Sequence, residues 1–156
     1  MEIPQAVEKL RAIFDANKDK RICVVGASCS GKSTLLKYLP EAIDMDDVLF
    51  GNKDKGLKAI LTREETDYVC GPWDEEVGNF MTKRAKELIN IEPGCPVFGT
   101  VVFPSDLVIE LVVPEVKLKE RIKDRDTSEQ DVLNMKKQIE LEIKNSGIEK
   151  IVVENL

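Results

Sequence analysis

The stretch RICVVGASCSGKSTLLKYLP, residues 21–40, decides the fold. "RICVV" is a compact apolar run of strand-forming residues, and "STLLKYLP" reads as a helix that Pro40 stops. Between them Gly26, Ala27, Ser28, Cys29, Ser30, Gly31, Lys32 and Ser33 fit GxxxxGK followed by Ser or Thr, with Thr34 next in line. Each residue type has a job in this phosphate-loop (Walker A) pattern. The glycines permit backbone angles that wrap successive N–H groups around an anion. Lys32 is expected to reach the β and γ phosphates of a nucleotide, and the Ser33 hydroxyl to ligate Mg²⁺. Ala27 to Ser30 are small, which lets the loop close on its ligand. A strand before and a helix after supply the context the pattern requires.

Working outward, Ile3, Val7, Leu10 and Phe14 recur at helical spacing, so an amphipathic helix precedes the first strand. "EAIDMDDVLFG" reads as a second short strand ending in acids, while residues 52–70 leave helix and loop open. Asp74 suits a helix N-cap, with Val77, Met81, Ala85 and Leu88 on one face behind it and "EPG" as the stop. "CPVFGTVVF" and "LVIELVV" are the third and fourth strands. Pro114 then opens a helix that turns Leu118 and Ile122 inward. "SEQD", residues 128–131, has the form of a capping box and starts a helix carrying Val132, Met135, Ile139 and Ile143. "NSG" ends it, and "IEKIVVEN" supplies the last strand. Alternating strands and helices predict an α/β fold: a parallel sheet of about five strands, covered on both faces in three layers. Its ligand is expected at the carboxyl ends of the strands.

At 156 residues the chain is expected to be one domain, 1–156, with one main site. Apolar residues at 42% and charged residues at 33% are soluble proportions, and no apolar run approaches the roughly 18 residues that span a bilayer. The charged N-terminus lacks the form of a signal peptide, so a cytoplasmic location is expected. Cys23, Cys29, Cys70 and Cys95 show no zinc spacing and read as free thiols. With no histidine, imidazole-based zinc sites and Ser/His or Cys/His pairs are excluded. A net charge of −6 disfavours sequence-independent grip on nucleic acid and points to a small ligand.

Two further regions carry a resemblance. "IDMDD", with Asp44, Asp46 and Asp47, looks like the acidic DxD that follows the second strand in shikimate-type kinases. "LVIELVVPEVKLKERIKDR" is similar to the strand, proline and Arg-x-x-x-Arg helix leading into the lid of the small P-loop kinases, with Arg121 and Arg125 as the matching arginines. The chain thus resembles the group containing adenylate, shikimate and gluconate kinases. The resemblance implies ATP and Mg²⁺ as cofactors, Lys32, Arg121 and Arg125 as a cationic clamp, and Asp46 beside the acceptor hydroxyl. Asp44 would lie near the magnesium. These types suit phosphoryl transfer, where catalysis is mostly positioning and cationic stabilisation. The competing reading makes the acids caps of the next helix and the arginines part of a salt-bridged surface.

The chain also departs from that group. "VVFPSD" leaves no room for the usual helix before the fourth strand, and "RDTSEQD" makes a reduced lid. Arg63 and Arg84 alone lie in the middle of the chain, which fits a hydroxyl-bearing acceptor better than a nucleoside monophosphate. "NKDK" at 52–55 fails as a guanine-recognition motif, because Lys55 stands where an acid is needed. The expectation is an ATP/Mg²⁺-dependent phosphotransferase acting on a small metabolite, nucleoside or nucleotide. Two alternatives stay open: a nucleotide-hydrolysing switch module without a small-molecule acceptor, and a polynucleotide 5'-hydroxyl kinase, which needs a basic channel.

Overall fold

A computed structural model describes residues 3–155. The chain runs α1 (Ile3–Ala16), β1 (Ile22–Val25), α2 (Lys32–Leu36), β2 (Ile43–Asp44), α3 (Met45–Phe50), α4 (Arg63–Val69) and α5 (Glu75–Leu88). It continues through β3 (Val97–Gly99), β4 (Leu107–Val112), α6 (Glu115–Asp124), α7 (Glu129–Ser146) and β5 (Glu149–Glu154). The five strands form one all-parallel sheet in the order β2-β3-β1-β4-β5.

Strand alternation builds two cores. Ile22 and Val24 of β1 pack with Leu107, Ile109 and Leu111 of β4 against Ala6, Leu10 and Phe14 of α1 and Leu35 of α2. Cys23 and Val25 face the other way, onto a larger cluster with Val77, Met81 and Ala85 of α5 and Val132, Ile139 and Ile143 of α7. Helices therefore cover both faces, as the alternating pattern predicts. β1 sits between β3 and β4, so the chain order reverses at β1 and a crevice opens beyond its carboxyl end.

Three local readings change. "EAIDMDDVLFG" is a strand only at Ile43–Asp44; Asp44 accepts from the Asp46 N–H and starts α3, which buries Met45 and Leu49 four residues apart. The third strand stops at Gly99, because Val101, Val102 and Phe103 leave the ladder and pack into the core as an extended strap, residues 100–106, in place of a crossover helix. The Cys23 Sγ lies 3.8 Å from the Val101 carbonyl, placing the strap against β1. α2 ends at Leu36, and the chain tightens toward Pro40 through i→i+3 bonds, Tyr38 N–H to Leu35 and Leu39 N–H to Leu36.

Other expectations hold. Asp74 caps α5 by accepting from the Val77 N–H, Ser128 caps α7 by accepting from Asp131, and Gly147 ends α7 in the left-handed region. Asp106 staples the entries of β4 and β1, taking the Arg21 N–H at 2.9 Å and its guanidinium at 3.1 Å. All four cysteines are free. No helix among the described residues is long and apolar enough to cross a membrane.

Candidate functional site

The loop after β1 is held by contacts from distant parts of the chain. The Gly26 N–H donates to the Gly99 carbonyl at 3.1 Å, tying the loop's start to the end of β3. Cys29 and Gly31 both have positive φ, +70° and +89°. The loop's carbonyls are then taken one by one. Lys32 Nζ donates to Gly26 and, at 2.9 Å, to Ala27. The guanidinium of Arg121 donates to Cys29 at 3.2 Å, and Asn155 Nδ2 donates to Ser30 at 2.8 Å.

This leaves donors over. The first N–H to close on α2 is that of Leu35, which reaches the Gly31 carbonyl at 3.0 Å. The N–H groups of Gly31, Lys32, Ser33 and Thr34 have no acceptor among the described residues. Four consecutive N–H groups are thus left free, with the Lys32 ammonium folded back onto the carbonyls of Gly26 and Ala27.

Asp44, the last residue of β2, and Asp46, in the first turn of α3, are in electrostatic contact with Lys32. Burial pushes the Lys32 ammonium down to about 8; Asp46 and Asp44 pull it back up, and Arg125 pushes it lower. Burial, followed by repulsion from Asp44, raises the Asp46 carboxyl to about 6, against the pull of Lys32. Asp46 is nonetheless exposed, so water reaches it, and the neighbouring carboxylates of Asp44 and Asp47 add to the rise. Its carboxylate makes no side-chain hydrogen bond among the described residues. Asp44 is a helix cap, as the competing reading expects, with its carboxyl also raised by burial.

Lys32, Asp44, Asp46 and Arg125 therefore share one field, and Arg121 rests on the loop itself. Neither arginine forms an ion pair among the described residues; on α6 that role falls to Lys119 with Glu115. The surface-salt-bridge reading of the two arginines is not what the structure holds.

The neighbouring charges are mostly spoken for. Asp47 pairs with Lys55 at 2.6 Å and accepts from Asn52 at 2.9 Å, which holds its carboxyl below the usual range. Arg84 is ion-paired to Glu65 at 2.9 Å and Glu87 at 2.8 Å, which leaves little free charge for an anionic acceptor. Arg63 is exposed. Among the described residues no three His, Cys, Asp or Glu side chains converge on a metal position. A magnesium ion here would be held by Ser33, one carboxylate and the phosphates of a ligand, the arrangement this cation favours.

Two features, one of them at the loop, escaped the sequence reading. The capping box of α4, Thr62 with Glu65, was visible as a pattern inside the stretch left open. Asn155 gave no signal, because its partner lies 125 positions away. The turn between α6 and α7, residues 125–128, is as short as the sequence suggests, and Asp131 and Asn134 of α7 bond the backbone of Trp73 just ahead of α5. A second concavity, of about 600 Å³, lies between α5, α7 and the strap, lined by Thr82, Lys83, Lys86, Phe103, Glu142 and Ser146. It adjoins the segments entering β4 and β5, away from the loop. Compared with known proteins, the chain matches no protein-family model and no curated protein sequence.

Proposed function

We propose that this protein is a P-loop phosphotransferase that moves the γ-phosphate of Mg²⁺·ATP to the hydroxyl of a small, uncharged acceptor. The observation that carries the reading is the electrostatic contact between Lys32, where the loop runs into α2, and Asp46, in the first turn of α3. One group is suited to the transferring phosphate and the other to the attacking hydroxyl.

In this reading the free N–H groups of Gly31 to Thr34 cradle the phosphates, and Lys32 swings from the carbonyls of Gly26 and Ala27 onto them. Arg121 and Arg125 add positive charge where the transferring oxygens gather negative charge. Asp46, free of hydrogen bonds and titrating near 6, is suited to orient a hydroxyl and take its proton at neutral pH. Mg²⁺, when bound with ATP, neutralises the phosphates. The acids around the acceptor end and the ion-paired state of Arg84 favour a hydroxyl over a phosphate as acceptor.

The short turn at 125–128 favours a second reading, a nucleotide-hydrolysing module that switches a partner. Incubating the protein with Mg²⁺, γ-labelled ATP and a pool of metabolites and nucleosides separates the two. Phosphotransfer predicts a new labelled species, absent with Lys32→Ala. Label released only as free phosphate supports the module.

A further inference from the structure

We infer that Asn155 is a positioning residue for the phosphate loop: it takes the Ser30 carbonyl away from α2 so that the loop's N–H groups stay free for an anion. This rests on the nucleotide reading above and adds a residue to it. Asn155 follows β5 and is 2% exposed. Its backbone N–H donates to the Val112 carbonyl at 2.8 Å, which fixes it against the end of β4. Its Nδ2 donates to the Ser30 carbonyl at 2.8 Å, across 125 positions of sequence.

In a regular helix the Ser30 carbonyl would accept from the N–H of Thr34, four residues on. Here that carbonyl points at Asn155 and the Thr34 N–H is left over. The same amide fills the space beside Gly31: a Cβ there would lie 2.3 Å from Nδ2. Gly31, at φ +89°, and Asn155 are therefore fitted to each other.

The other end of the amide sets the residue apart from an apolar filler. Asn155 Oδ1 is buried with no hydrogen-bond partner among the described residues, an arrangement that costs stability and that an apolar side chain would avoid. What the amide supplies in return is the one donor among the described residues that reaches the Ser30 carbonyl. Arg121 performs the matching task on the preceding carbonyl, that of Cys29.

The test compares wild type with Asn155→Leu, which keeps the volume and removes the donor, and with Asn155→Ala. Two quantities are read well below the melting temperature: affinity for inorganic tripolyphosphate and for Mg²⁺·ATP, and the amide exchange of Ser30 and Leu35. Their bonds to Ala27 and Gly31 report the loop's shape. The inference predicts weaker binding of both ligands by about tenfold, the scale of a lost hydrogen bond at a buried site. It also predicts faster exchange at Ser30 and Leu35 with unchanged exchange along β4. A variant that melts lower but binds and exchanges like wild type would make Asn155 a fold residue only and overturn the inference. Faster loop exchange in a protein whose wild type binds neither ligand would overturn the nucleotide reading instead, leaving Asn155 as a brace of the loop.

Discussion

The loop at residues 26–34 and the acidic segment at 43–55 feel each other's charge through Lys32, Asp44 and Asp46 but are built in opposite ways. The loop is fixed from afar: Gly99, Arg121 and Asn155 each hold one of its backbone groups, and its flanks Val25 and Leu35 are fully buried. The acidic segment is fixed locally. Asp44 bonds the N–H two residues on, Asn52 and Lys55 serve Asp47, and β2 contributes two residues to the sheet. A loop held by several elements keeps one shape, as the proposed phosphate site would require. A segment held by its own neighbours can change its acceptor without disturbing the sheet.

If the two regions act on opposite sides of one reaction, their titrations should bracket it. The kcat/KM for transfer is predicted to rise with pH through about 6, as Asp46 loses its proton, and to fall above about 8, as Lys32 loses its own. Each limb approaches tenfold per pH unit, and Asp46→Asn should erase the acid limb and move the alkaline one to lower pH, since the Asp46 charge helps hold the Lys32 proton. A profile flat from pH 5 to 9 would break the pairing. The same shift acts on the fold. Since the folded state holds the Asp46 proton more tightly than the unfolded chain, stability falls as pH rises through about 6, and Asp46→Asn removes that loss.

A smaller effect sharpens the contrast in construction. Gly31→Ala forces a side chain into the left-handed region and against Asn155, at a cost of about 1–3 kcal/mol in urea unfolding. Lys55→Ala, which removes an exposed partner of Asp47, should leave the unfolding midpoint where it was. Comparable losses in both would mean that the acidic segment is as deeply tied into the fold as the loop.

What could be read from the sequence follows the same division. Residues 21–36 combine a continuous apolar strand, paired glycines and a helix start, signals that all lie within one short window. Residues 43–50 misled because Ile43, Met45 and Val48 mix strand and helix spacing, and the decision fell to the cap at Asp44. The strap at 100–106 was visible as a missing helix, but its seat against β1 depends on tertiary packing. Lys32 could be named from the GxxxxGK pattern, and Asp44, Asp46, Arg121 and Arg125 from the resemblance to the small P-loop kinases, whereas Asn155 could not, since a lone asparagine after a strand has no pattern.

The central claim is that the loop holds the phosphate donor and Asp46 serves the acceptor. Its most direct test is Mg²⁺·ATP affinity and transfer rate measured side by side for wild type, Lys32→Ala and Asp46→Asn, using the acceptor found in the labelled pool. The account predicts that Lys32→Ala abolishes transfer, and that Asp46→Asn lowers kcat by about a hundredfold or more with ATP affinity nearly unchanged. Equal losses of affinity and rate in Asp46→Asn would place Asp46 at the nucleotide's metal and contradict the division of labour.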